Sequence, residues 1–248
     1  MPAPPRRLHL EHLKRDDGPV LCIGFHPDDI DFHASGLVRS LTATGVEVIY
    51  VVATSGERAG LAPVREEEQR QSARIVGVRE VAFLRLKDGS LQKEYARGRL
   101  TKRMENLLRA YRPSVVITFC PANLTTVSWG PEHPDHRYGA LAVWDAVYPG
   151  ARQAEVVPWW QFWRQPLAGH SVRRVLWFAD DLQAPHEANC FVQVDAVWPD
   201  VAAAIRAHKT QWGDAAVALH KARVRALRAA SRCGSTGLVE EYRLIDIT

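Results

Sequence analysis

Four short apolar runs, each separated from the next by a segment of helical period, constrain this chain more than any other feature of its sequence. Residues 20–25 are bounded by Gly18-Pro19 and by His26-Pro27, and read as a buried strand. Phe32, Leu37, Val38 and Leu41 then recur at helical spacing, and Gly45 stands where a helix C-terminal glycine sits. The second run covers 46–53. Pro63 opens the next helix, whose early acids Glu66, Glu67 and Glu68 suit the positive end of the helix dipole. Runs 80–86 and 114–119 are the third and fourth strands, separated by one helical segment over 91–111 that Pro113 ends. Strands that lack alternation and are joined by helices imply a parallel sheet covered on both faces, because right-handed crossovers put the helices there. The expected fold class is α/β, a Rossmann-like parallel sheet sandwiched by helices.

The second half is less regular and predicts a variable C-terminal portion. Residues 137–147 read as helix, 172–179 and 191–194 as strands, 201–231 as one or two helices, and 244–247 as a last strand. Segment 149–170 carries Trp159, Trp160 and Trp163 among prolines and glycines with no clear period. It reads as a loop or lid whose tryptophans either stack on a ligand or bury at a subunit interface. A length of 248 residues fits one domain over 1–248, with 1–18 as a polar N-terminal extension.

Composition closes off several classes. Hydrophobic residues at 46% and charged residues at 24% exclude a disordered or fibrous chain. No apolar run approaches the roughly 18 residues a membrane span needs, and no apolar stretch follows residues 1–7, so a cytoplasmic protein is expected. Cys22, Cys120, Cys190 and Cys233 lie far apart and read as reduced core thiols. The net charge of +4 is mild, and the basic stretches 97–112 and 221–232 have helical composition without a nucleic-acid-binding signature.

Chemistry gathers at two strand ends. In an open parallel sheet, ligands bind beyond the carboxyl ends of the strands, near the point where strand order reverses. His26-Pro27-Asp28-Asp29 leaves the first strand, and the loop after the fourth carries His133-Pro134-Asp135-His136. Either tetrapeptide alone also fits a bland reading, an aspartate capping a helix or a proline turn with incidental histidines. Together they supply what a catalytic Zn²⁺ site uses: two histidines and a carboxylate, an open position for water, and a further carboxylate and histidine for proton transfer.

These motifs resemble the LmbE-like (PIG-L) deacetylase family. Supporting matches are Thr54-Ser-Gly-Glu57, Arg65-Glu-Glu-Glu68, Asp88-Gly89, Ala207-His-Lys-Thr-Gln211 and Glu240-Glu-Tyr-Arg243, so the likeness runs from about Val20 to Leu244. The resemblance implies His26, Asp29 and His136 as ligands of one zinc per chain and Asp28 as general base. It implies His133 as the group facing the oxyanion or the departing amine, Asp135 as its orienting partner, and Arg65 as a substrate contact. It implies an N-acetylated small molecule as substrate, a sugar above all, and a homo-oligomeric assembly. Two departures stand out: His33 is an extra histidine near the site, and Pro131 stands where some sugar-deacetylating members have a tyrosine.

Rival classes fit less well. A Rossmann-type nucleotide-binding oxidoreductase would need G-x-G-x-x-G where this chain has Gly24-Phe-His-Pro-Asp-Asp29, and two aspartates there repel a pyrophosphate. A serine hydrolase would need a G-x-S-x-G elbow, which does not occur. A non-catalytic zinc-binding homologue would keep the ligands and dispense with the base, yet Asp28 is present.

Overall fold

The computed structural model describes residues 4–14, 18–126, 130–158, 161, 163–178, 188–211, 213–231 and 235–247. The chain opens with β1 (Arg6–Arg7), α1 (Leu10–Lys14), β2 (Val20–Gly24), α2 (Asp29–Ala43), β3 (Val48–Thr54), α3 (Ala62–Ile75) and β4 (Glu80–Leu86). It continues through α4 (Leu91–Ala96), α5 (Arg99–Tyr111), β5 (Val115–Thr118), the small strands β6 (Thr125–Thr126) and β7 (Gly130–Pro131), and α6 (Pro134–Val147). The last elements are β8 (Arg174–Phe178), β9 (Cys190–Gln193), α7 (Trp198–Ala207), α8 (Gly213–Ser231) and β10 (Val239–Asp246).

One sheet runs in the order β1-β9-β10-β8-β5-β2-β3-β4, and β8, β5, β2, β3 and β4 are mutually parallel. Every residue of β2, β3 and β5 is buried, as expected where helices cover both faces. Helices α2, α3 and α7 pack together in one layer, and α4, α5 and α6 in another. From β2 the chain moves outward through β3 to β4, then returns to place β5 on the other side of β2. Strand order therefore reverses between β2 and β5, and the loops leaving these two strands flank one crevice.

Three elements differ from the sequence reading. The single helix over 91–111 is two, because Gly98 sits in the left-handed region at φ 68° and lets the chain change direction between α4 and α5. The last strand is longer than 244–247 and runs antiparallel between β8 and β9, a pairing that local pattern does not encode. Within 1–18, Arg6 and Arg7 pair with Cys190 and Phe191 at the sheet edge, and Leu8 and Leu13 enter the core. The expected strand end at residue 179, and Trp159 and Trp160, lie outside the described residues.

Candidate active site

The turn out of β2 closes on Asp29. Its Oδ2 accepts the backbone N–H groups of Phe25 and His26 at 2.7 and 2.8 Å, which folds the strand end back against α2 and holds the carboxylate beneath it. Oδ1 then lies 3.2 Å from His136 Nε2. His26 Nδ1 is 3.2 Å from that same Nε2 and 3.7 Å from Asp29 Oδ2. The two histidines thus approach each other and each approaches one oxygen of Asp29, Oδ1 beside His136 and Oδ2 beside His26, at separations near the roughly 3.3 Å between neighbouring ligands of a tetrahedral ion. Among the described residues, two sets bring one donor from each residue within 4.8 Å of one another: His26, His133 and His136, and His26, Asp88 and Asp135. The site thus holds overlapping sets of histidine and aspartate donors able to take a metal ion.

The outward nitrogens of the His26 and His136 rings are engaged as metal-ligating histidines usually are. His136 Nδ1 meets Glu132 Oε1 at 2.9 Å. His26 Nε2 meets Asp88 Oδ1 at 3.3 Å and Asp135 Oδ2 at 3.5 Å. Burial alone would lower both imidazoles. The carboxylates outweigh it: Asp135, Asp29 and Asp88 hold His26 well above its ordinary value, and Asp29 above all pushes His136 up to about 9. Burial likewise disfavours the Asp29 anion, yet His136 and His26 keep its carboxyl well below the usual range. Three donors that polarise one another so strongly form a cation-seeking set.

Asp28 is built differently. It occupies the N-cap position of α2 at φ 100°, rare for a residue with a side chain, and its carboxylate makes no capping hydrogen bond. Such backbone strain persists only where neighbours enforce it. Here α3 does so: Gln69 Oε1 accepts the Asp28 N–H at 2.9 Å, and Arg65 Nη2 donates to the Pro27 carbonyl at 2.7 Å and reaches Asp28 Oδ2 at 3.3 Å. Burial first, then the adjacent Asp29 charge, push the Asp28 carboxyl up to about 6, against the pull of Arg65.

His133 caps α6, its Nδ1 accepting the Asp135 N–H at 3.2 Å. Burial and the neighbouring His26 and His136 lower its pKa, so the ring is neutral near pH 7 and carries its proton on Nε2. The Asp135 carboxylate does not meet His133, where orientation of that ring had been expected. It accepts the Gly89 and Leu91 N–H groups at 2.7 and 3.0 Å and faces His26.

The structure therefore brings His26, Asp28, Asp29, His133, Asp135 and His136 into one cluster. Arg65, expected as a substrate contact, stands behind it instead, 3% exposed, with Nη1 donating to the Gly56 carbonyl at 2.8 Å. His33 is half-buried, its Nδ1 2.6 Å from the Asp29 carbonyl and its ring stacked on Phe178. Pro131 is exposed in β7, and Trp163 is exposed as well. Sequence reasoning missed Gln69 and Glu132. Glu132, immediately before His133-Pro-Asp-His136, could have been found by asking which carboxylate would hold the far nitrogen of a metal-binding histidine. Gln69 carries no local signal, since its partner is 41 residues away.

The family model for PIG-L, GlcNAc-PI de-N-acetylase, matches residues 21–147 and so spans both motifs. The chain belongs to the PIG-L family. It is 31% identical over 208 residues to the diacetylchitobiose deacetylase of Thermococcus kodakarensis, a match covering 78% of this chain and 70% of that relative. It is 28% identical over 140 residues to a probable N-acetyl-alpha-D-glucosaminyl L-malate deacetylase 2 of Bacillus anthracis, covering 52% of this chain and 58% of the relative. In structure it resembles the N,N'-diacetylchitobiose deacetylase of Pyrococcus horikoshii, with a TM-score of 0.77 at 24% identity, covering 96% of this chain and 87% of the other. This PIG-L chain shares the α/β architecture of that enzyme, and among its described residues no helix is long and apolar enough to cross a membrane.

Proposed function

We propose that this PIG-L-family chain is a zinc-dependent amidohydrolase that removes the N-acetyl group from an N-acetylglucosamine-containing small molecule or glycoside. One zinc per chain would be held by His26, Asp29 and His136. The observation that carries the reading is the close approach of His136 to His26 and to Asp29 Oδ1 at 3.2 Å each and of His26 to Asp29 Oδ2 at 3.7 Å, with Asp28 beside them, its carboxylate withheld from helix capping. The family and the relatives named above, all deacetylases of N-acetylglucosamine compounds by name, support the substrate class.

Zinc at this site would supply Lewis acidity, polarising the acyl carbonyl and making water a better nucleophile at neutral pH. Asp28 takes the proton from the attacking water; a carboxyl near 6 is ionised at pH 7 yet more basic than a free aspartate. Arg65 and Gln69 are positioning residues, fixing the strained Asp28 backbone so that its carboxylate faces the site. His133, with Nδ1 occupied, offers its Nε2 proton to the oxyanion that develops on the carbonyl oxygen. Asp135 orients His133 through its main chain and His26 through its side chain. Residues 1–248 act as one catalytic domain in this reading, since β1 and β10 join the same sheet as β2 and β5.

The test is metal content with turnover. Purified protein should carry about one zinc per chain, lose amine release from N-acetylglucosamine, its glycosides and its oligosaccharides on chelation, and regain it with zinc. Active protein free of transition metal would overturn the proposal. NAD(P) or ATP raising the melting temperature reproducibly would restore the nucleotide-binding alternative.

A further inference from the structure

Behind the strained turn at Asp28 lies a buried polar group that the proposed reaction does not use. Asp31, wholly buried on α2, accepts hydrogen bonds on both oxygens: Oδ2 from Gln69 Nε2 at 2.7 Å and His208 Nε2 at 2.8 Å, Oδ1 from the Tyr50 hydroxyl at 3.3 Å. Among the described residues, His208 is the one basic side chain that pairs with it. His208 is 1% exposed and stands at the end of α7, 177 residues along the chain from Asp31. Just beyond it, the Thr210 N–H and hydroxyl donate to the two oxygens of Glu68 at 2.9 and 2.7 Å, which ties the end of α7 to α3 beside Gln69.

Hydrogen-bond chemistry sets the order of dependence among these groups. A main-chain N–H can only donate, so the Gln69 amide must turn its oxygen to Asp28. Its NH₂ is thereby committed to Asp31, which must meet it with an acceptor. An ionised carboxylate is acceptor-only, whereas a neutral carboxyl could offer its own O–H and let the amide flip. A buried carboxylate is costly unless it is paired, and His208 supplies the pairing. Burial works against a charged imidazole here, but the hydrogen bond to Asp31 and the Asp31 charge outweigh it and raise the ring's pKa above its ordinary value.

We infer that His208 is a positioning residue for the base assigned to Asp28. Paired with Asp31, it fixes the Gln69 amide, and through that amide it holds the Asp28 main chain at φ 100°. The inference rests on the deacetylase reading and deepens it, carrying the support of the base from α3 across to the end of α7. His208 acts on the reaction without touching substrate or metal.

Two amide substitutions test this. His208→Gln sets a nitrogen about where Nε2 stands and keeps the hydrogen bond to Asp31; His208→Asn sets it about where Nδ1 stands, short of Asp31. With zinc-loaded protein, His208→Asn should lower kcat by about ten-fold with KM and bound zinc unmoved, and His208→Gln should recover most of that loss. His208→Asn combined with Gln69→Ala should be no slower than Gln69→Ala alone, because both reach Asp28 through the same amide. Losses that multiply to about a hundred-fold, zinc or KM changing in step with kcat, or glutamine no better than asparagine would overturn the inference. Should His208→Asn not fold, His208→Gln decides: kcat within about three-fold of wild type supports the positioning role, and a loss as large as that of Gln69→Ala removes it. If the wild-type protein releases no amine from any N-acetylglucosamine compound, the deacetylase proposal fails, and the positioning is judged by hydrogen exchange instead. The Asp28 amide should then exchange about ten-fold faster in His208→Asn and in Gln69→Ala, while amides of β2 and β3 keep their protection. A wild-type exchange rate at Asp28 in His208→Asn, or a quickening shared by the whole sheet, would overturn it.

Discussion

His136, on the floor of the site, has both ring nitrogens committed, Nε2 toward Asp29 and His26 and Nδ1 to Glu132, whereas His133 at the rim uses only Nδ1, for the Asp135 N–H. The two aspartates divide in the same way. Asp29 has both oxygens engaged, by two backbone donors and by His136; Asp28 has one oxygen 3.3 Å from Arg65 and a backbone held in a conformation it would not choose alone. A floor whose groups fix one another suits tight binding of an ion. A rim anchored on one side only leaves an atom free to gain or lose a proton. Adjacent residues of one type are thus given opposite duties by what their second atoms touch.

The sharpest way to break this division is to exchange the aspartates' fates. Asp28→Asn should keep zinc and lose on the order of a hundred- to ten-thousand-fold in turnover, because an amide fills the space but cannot accept the proton. Asp29→Ala should lose zinc affinity, with activity partly restored by excess zinc. Bound zinc and amine release, measured side by side, decide it; Asp28→Asn protein that loses its zinc would reverse the assignment.

A smaller effect tests whether the rim is positioned from behind. Gln69→Ala removes the acceptor of the Asp28 N–H and the donor to Asp31, and should lower kcat by about ten-fold or more with KM and zinc content unmoved. Zinc loss in step with kcat would mean that floor and rim are one unit.

The smallest expected effect concerns the scaffold beneath both. Glu66, on the same helix as Arg65 and Gln69, accepts from Arg85, Ser55 and Arg70, and Arg85 foremost lowers its carboxyl to about 2 from 4.5. A depressed folded value stabilises the protein above about pH 4.5, and that contribution fades as pH falls toward about 2. Arg85 is mostly exposed, so Glu66→Gln should cost only about 1 kcal/mol at pH 7 and little near pH 2, with zinc content unchanged. Denaturant unfolding at the two pH values checks the difference; an equal cost at both would remove the ion pair from the account.

Much of this was legible from residues alone. The apolar runs of β2, β3 and β5 announce strands buried on both faces, because only a parallel sheet under two helical layers removes so continuous a surface from water. The two histidine-aspartate motifs announce their meeting place, because right-handed crossovers send successive strands outward from one reversal point. Local sequence could not assign the atoms that hold those motifs. Gln69 and Arg65 reach Asp28 from another helix, and Gly89 and Leu91 turn the Asp135 carboxylate from His133 toward His26. Side-chain type and spacing determine which groups can do chemistry and at which strand ends they emerge. Only the packing of α3, α4 and α6 over those ends decides which oxygen is bound and which is left free, because those contacts join residues that the chain itself keeps far apart.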